Sequence, residues 1–389
     1  MNMYEIKTLN NISQVGLDVF TDKYTVSADA ASPDAILVRS AKMHDMQFDD
    51  KLLCIARAGA GYNNIPTDRC AEEGIVVFNT PGANAESVKE MAVCALLLAS
   101  RNIVGGIEWV KSIAGEGDAV AAMVEKGKSA FVGPELMGKT LGVIGLGAVG
   151  AKLASAAIGL GMKVYGYDPY LSVDAAWHLS SNIIHATDVN TIYSNCDYIS
   201  IHVPYMTSTH HTINADAIAH MKDGVRIINL ARGELVDDDA LIAALDSGKV
   251  AAYVTDFPNA KTANHKGIVA IPHLAASTPE SEDNCAVMAA RQIMDYVENG
   301  NIVNSVNIPA AKMDRSGEAR ITVIHKNIPD MIAGITRVLG GAGVNIENML
   351  NAGRKNNPVA YTMIDVDSTP EGILDKIRGV EGVIRARIL

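Results

Sequence analysis

The chain has 389 residues, 48% of them hydrophobic and 20% charged, with a formal net charge of −11. This length suits two or three domains, and the composition is that of a well-cored globular protein rather than a disordered one. The acidic balance argues against nucleic acid and anionic membranes as partners, because neither is attracted to a negative surface; an anionic ligand would need a local cluster of arginines.

In chain order, AILVRS, KLLCIARAG and GIVVFNT are short apolar runs flanked by turn residues, the pattern of parallel strands covered on both faces. A helix is expected over 86–100, followed by a more polar helical stretch over 101–139 that ends in VGPELMGK. The strand pattern then restarts with TLGVIGLG, KVYGYD, YISIHVP, RIINLAR, AAYVTDF and GIVAIPH, spaced by helices. Such a succession of βα units predicts a doubly wound parallel sheet. A helix over 279–299 and VNSVNIP come next, and 306–317 reads as a linker. The remainder gives β-α-β-β-α-β, a ferredoxin-like order expected to stand as a small domain of its own.

The five cysteines (Cys54, Cys70, Cys94, Cys196, Cys285) show neither CxxC nor a metal-ligand spacing. No metal is therefore expected, and the thiols read as buried and reduced in a cytoplasmic protein. MNMYEIKTLNNI lacks a basic stretch ahead of an apolar one, so no signal peptide is expected. The longest apolar run, 91–99, is about half of a membrane span.

Gly145, Gly147 and Gly150 form a GxGxxG between an expected strand and an expected helix, the context that gives this pattern meaning. The first glycine allows the tight turn, the second lets a diphosphate approach the backbone, and the third lets helix and strand pack closely. Amides at the helix N-terminus, from Ala148 and Val149 onward, would hold the diphosphate. Asp168, at the end of KVYGYD, would accept from ribose hydroxyls and repel a 2′-phosphate, favouring NAD over NADP. GAGYNN at 59–64 lacks the third glycine, but the amides of Gly59, Ala60 and Gly61 could form an anion-binding nest.

Two later strings place a polar residue directly after an apolar run: Arg232 in IINLARGELVDDDAL and His273 in IPHLAAST. An arginine that grips a carboxylate with two parallel hydrogen bonds, and a histidine that exchanges a proton near neutral pH, suit the interconversion of 2-keto and 2-hydroxy acids. Both could instead be structural, His273 as a core residue capping a strand end and Arg232 in a surface ion pair.

VIGLGAVG, the Asp168 strand, HVP (His202, Val203, Pro204), NLARGELVDDDAL and IPHLAAST together resemble the D-isomer-specific 2-hydroxyacid dehydrogenases. RAGAGYNNI, NTPGANAESVKEMAV and an ACT-like C-terminal domain resemble the branch that oxidises D-3-phosphoglycerate with NAD at the start of serine synthesis. The resemblance implies a flavodoxin-like substrate domain over 1–98 with 283–305. It further implies a Rossmann NAD domain over 99–282, a linker over 306–317 and a regulatory domain over 318–389. It also implies that Arg232 binds the substrate and His273 is the acid/base. Asp256 would lie against the nicotinamide side, and His202, Val203, Pro204 and Ala231 would touch the cofactor.

Arg39 and Arg57 follow strands of the first domain and are implied to bind substrate, with Lys42 and Arg101 as possible helpers; structural ion pairs are the alternative for Arg39 and Arg57. The family's usual glutamate partner for the histidine is missing. Ala260 stands in its place, and no Glu occurs between Glu234 and Glu280. The imidazole thus lacks a carboxylate that would favour its protonated form. HKNIPDM and VNIEN resemble an effector loop and its facing strand, so His325, Asn327 and Asn345 are implied to bind L-serine. Asp330 replaces a common glycine there, and oligomerisation alone is the alternative role. The resemblance implies a homodimer or homotetramer. The competing readings are a hydroxypyruvate or glyoxylate reductase and a catalytically decayed NAD(H)-sensing protein.

Overall fold

The computed structural model describes residues 3–355 and 357–389. Residues 1–2 of the stretch read for a signal peptide thus lie outside the described residues. The chain forms two compact units, Met1–Asn84 with Pro279–Leu389, and Ala85–Thr278.

The first unit holds a parallel sheet of β1 (Tyr4–Leu9), β2 (Tyr24–Ser27), β3 (Ala35–Val38), β4 (Cys54–Arg57) and β5 (Val76–Phe78). Its strand order, β2-β1-β3-β4-β5, is flavodoxin-like. The second unit carries a seven-stranded parallel sheet: β6 (Thr140–Ile144), β7 (Lys163–Tyr167), β8 (Ile183–His185), β9 (Tyr198–Ile201), β10 (Val225–Asn229), β11 (Val250–Thr255) and β12 (Ile268–Ala270). The order β12-β11-β10-β9-β6-β7-β8 reverses direction between β6 and β9, the switch point at which such sheets bind ligands. Strands β1, β2 and β8 are additions to the sequence reading. YEIKTL, YTVS and IIH each mix polar with apolar residues over a short length, so none is a continuous apolar run.

The helix Ala85–Ser100 lies wholly in the second unit, whereas the sequence reading divides it after residue 98. Val88, Ala92, Ala95, Leu96 and Ala99 form its buried stripe and share a core with Leu141, Val143, Ile228 and Val254. Cys94 falls off that stripe and is exposed, which corrects the expectation of five buried thiols. Cys54, Cys70 and Cys196 are buried, and desolvation raises each thiol to about 12, keeping them protonated and inert. No single described helix is long and apolar enough to cross a membrane.

The C-terminal residues form an antiparallel sheet of β13 (Ala319–Lys326), β14 (Ile346–Ala352), β15 (Val359–Val366) and β16 (Val383–Ile388), ordered β14-β15-β13-β16. The connectivity is the ferredoxin-like one expected, but the sheet does not stand apart. Ile324, Val359, Tyr361 and Met363 on one face join Ile6, Leu37, Cys54 and Tyr296 in a single apolar cluster. Every residue of β15 is accordingly buried. The other face packs on the sheet's own helices through Ile321, Val323, Ile335, Leu339, Ile364 and Ile377.

The same sheet caps the helix Pro279–Asn299. A helix ends with carbonyls that have no intrahelical partner and a partial negative charge. Here Arg387 donates to Tyr296 O (3.1 Å), Arg315 to Glu298 O (3.1 Å), Arg320 to Asn299 O (3.0 Å) and Tyr361 to Gly300 O (2.7 Å). Arg320 also grips Asp365 through Nε (2.6 Å) and Nη2 (2.9 Å), with both side chains 1% exposed. Segment 306–317 is pinned as well: Asn307 Oδ1 accepts from Val77 N, and Ala311 bridges to Ile302.

Candidate active site and cofactor turn

In the second unit the apolar strand β6 runs directly into Gly145, whose φ of +94° is one that L side chains rarely adopt. A Cβ at Gly145 would lie 2.8 Å from the His202 carbonyl, and one at Gly150 would lie 1.9 Å from Gly145 O. A Cβ at Gly147, by contrast, would point into open space at the N-terminus of the helix Ala148–Gly159. A cradle closed behind and open in front of unpaired helix amides fits a dinucleotide diphosphate. Asp168 faces this turn from β7: Oδ2 accepts from Leu146 N at 2.9 Å and Oδ1 from Tyr170 N at 2.9 Å. A fixed carboxylate there fits the unphosphorylated ribose of NAD.

His202, Val203 and Pro204 follow β9 beside the same turn, where His202 N donates to Ile144 O at 2.7 Å. Burial lowers the His202 imidazole to about 4, so it is neutral at pH 7, and its Nε2 lies 2.8 Å from Ser200 Oγ.

The chain leaves β10 through a turn braced by the fully buried Asn229. Its Oδ1 accepts from Ala231 N (3.1 Å) and its Nδ2 donates to Arg232 O (2.8 Å). Arg232 is thereby presented to solvent, and the hydrogen bond formed by its guanidinium is Nη1 to Ala231 O. At the end of β11, Asp256 is 1% exposed. Its two oxygens accept from Leu274 N (2.7 Å) and Ala275 N (2.9 Å), so this carboxylate anchors the loop that carries His273. His273 itself has a φ of +55°, a conformation costly for a non-glycine residue and concentrated at functional sites.

Among the described residues the His273 imidazole has no hydrogen bond or ion pair, and its ring packs on Phe257 at 4.7 Å. A cleft of about 640 Å³ is lined by His273, Phe257 and Asp256, by His210 and His211, and by an acidic flank that includes Glu234 and Asp237. Asn259 and Lys261 line it too but are tied to Asp238 (2.7 Å) and Asp239 (2.6 Å), and among the described residues no carboxylate pairs with the His273 imidazole. The sequence reading missed Asn229, Phe257, His210 and His211. Only the position of Asn229, a polar residue closing an apolar strand, could have marked any of them.

In the first unit, Arg57 at the end of β4 donates from Nε to Arg39 O at 3.0 Å. A Cβ at Gly59 would lie 2.1 Å from Arg57 Nη1, so glycine is required for the guanidinium to lie along this loop. Thr80 Oγ1 accepts from Gly59 N (2.8 Å) and Asn79 Nδ2 donates to Ala60 O (2.6 Å), holding 59–61 in place. Arg39 pairs with Glu282 at 2.5 Å, while Lys42 is exposed. Arg101 belongs to the second unit and is exposed there.

In the C-terminal sheet, His325 is buried, with Nδ1 2.8 Å from Lys326 O and Nε2 2.9 Å from Thr362 Oγ1. Asn327 donates to Arg354 O (3.1 Å) and Asn357 O (3.0 Å). Asn345 is exposed, and its backbone pairs with Asp367. Asp330 has a φ of +70°, the left-handed conformation that glycine takes without cost, which accounts for a glycine in that loop.

Residues 93–276 match the family described as D-isomer specific 2-hydroxyacid dehydrogenase, NAD binding domain. The chain is 31% identical over 355 residues to the D-3-phosphoglycerate dehydrogenase of Haemophilus influenzae, covering 87% of this chain and 82% of that one. It is 37% identical over 272 residues to the hydroxypyruvate reductase of Thermotoga maritima, covering 67% and 83%. Against other relatives named D-3-phosphoglycerate dehydrogenase the chain spans less than two thirds of their length, 57% and 59% in two cases. The NAD⁺-bound 3-phosphoglycerate dehydrogenase of Entamoeba histolytica superimposes with a TM-score of 0.59 at 26% identity, covering 78% of this chain and 99% of that one. The glycine turn, the strand-end arginine and histidine, and a likeness running across both parallel sheets agree: this chain belongs to the D-isomer specific 2-hydroxyacid dehydrogenase family and carries its NAD-binding domain.

Proposed function

We propose that the protein oxidises D-3-phosphoglycerate to 3-phosphohydroxypyruvate with NAD, the first step of L-serine synthesis. The observation that carries this reading is a pair of largely uncommitted side chains past strand ends of one sheet, Arg232 after β10 and His273 beyond β12, with β11 between the two strands. NAD held at the Gly145 turn supplies the two-electron acceptor. Arg232 presents several N–H donors to the substrate carboxylate and orients the carbon to be oxidised. His273 takes the hydroxyl proton as the carbonyl forms, and returns it in the reverse direction. Asp256 acts through the loop it anchors, which carries His273. The acidic flank of the cleft disfavours a phosphate on that side. The Ala60 and Gly61 amides, beside Arg57, are the proposed anion-binding groups of the first unit.

A second reading, reduction of unphosphorylated hydroxypyruvate, is favoured by one observation: Arg39, a candidate phosphate ligand, is already neutralised by Glu282. Spectrophotometric NADH formation from NAD and D-3-phosphoglycerate tests the first reading. Turnover of D-glycerate but not of its phosphate would establish the second, and no turnover of either would overturn both.

For the C-terminal sheet, L-serine as effector requires a ligand to compete with the internal partners of His325 and Asn327. Calorimetric titration should then show heat at millimolar serine; its absence would leave this sheet with the structural role described above. The same reading places the chain in a homodimer or homotetramer, which sedimentation would test.

A further inference from the structure

Phe257 directly follows Asp256 and lies between the two side chains to which the proposed chemistry is assigned. Its ring centroid is 4.7 Å from that of the His273 imidazole, with the planes at 53°. Arg232 Cζ is 5.6 Å from the same centroid. The Phe257 backbone is fixed, since its N–H donates to Thr255 Oγ1 at 3.1 Å. On the other side, a Cβ at Gly233 would lie 3.5 Å from Phe257 Cβ, so the residue after Arg232 runs alongside it. Arg232 and His273 are both exposed, Phe257 is half-buried, and among the described residues nothing hydrogen-bonds the imidazole.

An exposed imidazole and an exposed guanidinium would sample several rotamers, and transition-state binding requires one geometry for both. Among the described residues no side chain of the cleft hydrogen-bonds or ion-pairs with either group. The Asp256 carboxylate is engaged by Leu274 N and Ala275 N, Asp238 by Asn259, and Asp239 by Lys261. The His211 imidazole lies toward Asp237 and is stacked on His210. A phenyl ring provides an extended face and edge for which tilted aromatic packing and cation–π contact are both favourable.

We propose that Phe257 is a positioning residue for the reaction: its ring is the shared support that fixes the His273 imidazole and the Arg232 guanidinium relative to each other. This deepens the reading given under Proposed function and rests on it.

The test compares Phe257→Leu, which keeps apolar bulk and removes the ring, with Phe257→Tyr, which keeps the ring. The leucine variant should lose about 10–100-fold in kcat/KM, corresponding to two aromatic contacts of about three- to tenfold each. The loss should appear mainly in kcat, with NAD affinity and thermal midpoint close to those of the parent. The tyrosine variant should stay within about threefold of the parent. In a His273→Ala background the leucine change should cost much less than it does alone, because one of its two clients is gone.

A readout independent of turnover is the proton NMR spectrum of the His273 ring in the cofactor-free protein, assigned with His273→Gln. Ring-current displacement should be present in the parent and in Phe257→Tyr and absent in Phe257→Leu. If the leucine variant does not fold, Phe257→Met serves in its place. Parent-like kcat/KM in the leucine variant, tyrosine as damaging as leucine, or undiminished cost in the His273→Ala background would each overturn the proposal. If His273→Ala itself kept most of its activity, the catalytic reading would fail instead, and the ring-current measurement would still decide whether Phe257 holds the imidazole.

Discussion

Arg232 and His273 of the second unit and the arginines around the C-terminal sheet of the first stand in opposite settings. In the second, Arg232 and His273 emerge at strand ends with most of their hydrogen-bonding capacity uncommitted, while Asn229 and Asp256 brace the turns beneath them. In the first, Arg320 is buried against Asp365, Arg315 and Arg387 cap a helix, and Arg39 is paired with Glu282. Arginine alone therefore does not mark a site. What separates a binding arginine from a structural one is whether its donors are already engaged, and that depends on partners distant in sequence.

The largest effect is expected at the pair formed by Arg232 and His273. His273→Ala should lower kcat/KM by about 10²–10⁴-fold with the melting temperature retained, the usual contribution of positioned acid–base groups. Steady-state kinetics beside a thermal melt would check it, and activity within tenfold of the parent would remove His273 from the chemistry.

The reverse profile is expected for Arg320→Ala, which strands a buried Asp365 carboxylate. Burial pushes that carboxyl up, and hydrogen bonds from Arg320 and Ser316 more than offset this, holding it below the ordinary aspartate value. Losing the partner should cost about 3–5 kcal/mol in urea unfolding while leaving the site's residues in place. A stability unchanged within error would show that the sheet is not joined to the first unit as described.

Acid tests the cofactor turn. His202 titrates near 4 when folded and 6.5 when unfolded. The unfolded chain therefore binds the extra proton between those values, and stability falls as pH drops through that window. The slope attributable to this residue is at most about 1.4 kcal/mol per pH unit, and it should vanish in His202→Asn. Parallel slopes in parent and variant would mean that the imidazole is not desolvated. The smallest effect is expected at Asp330→Gly, which relieves a left-handed aspartate and should stabilise by up to about 1 kcal/mol in the same unfolding assay.

Much of the fold was legible in the sequence because β3 to β7 and β9 to β12 are apolar runs between turn residues, and the glycine turn announces itself by its spacing. Half-exposed β1 and the edge strands β2 and β8 carry no such run. The ferredoxin-like order could be read from the C-terminal residues, but not the destination of its second apolar face, because Tyr361 and Met363 meet Tyr296 only after the chain has folded back. At the site, Arg232 and His273 stood out as polar residues after apolar strands. Phe257 did not, since one aromatic after a strand is ordinary core in sequence and becomes a support only by lying between two side chains far along the chain.

The most direct measurement is NADH oxidation by the purified protein with 3-phosphohydroxypyruvate and hydroxypyruvate, each over a full concentration range. The expected kcat/KM for the phosphorylated compound is at least about tenfold higher, the equivalent of one charge-assisted contact to the phosphate. Equal values would contradict a phosphorylated substrate, and no oxidation of either compound would contradict the assignment of Arg232 and His273 to dehydrogenase chemistry.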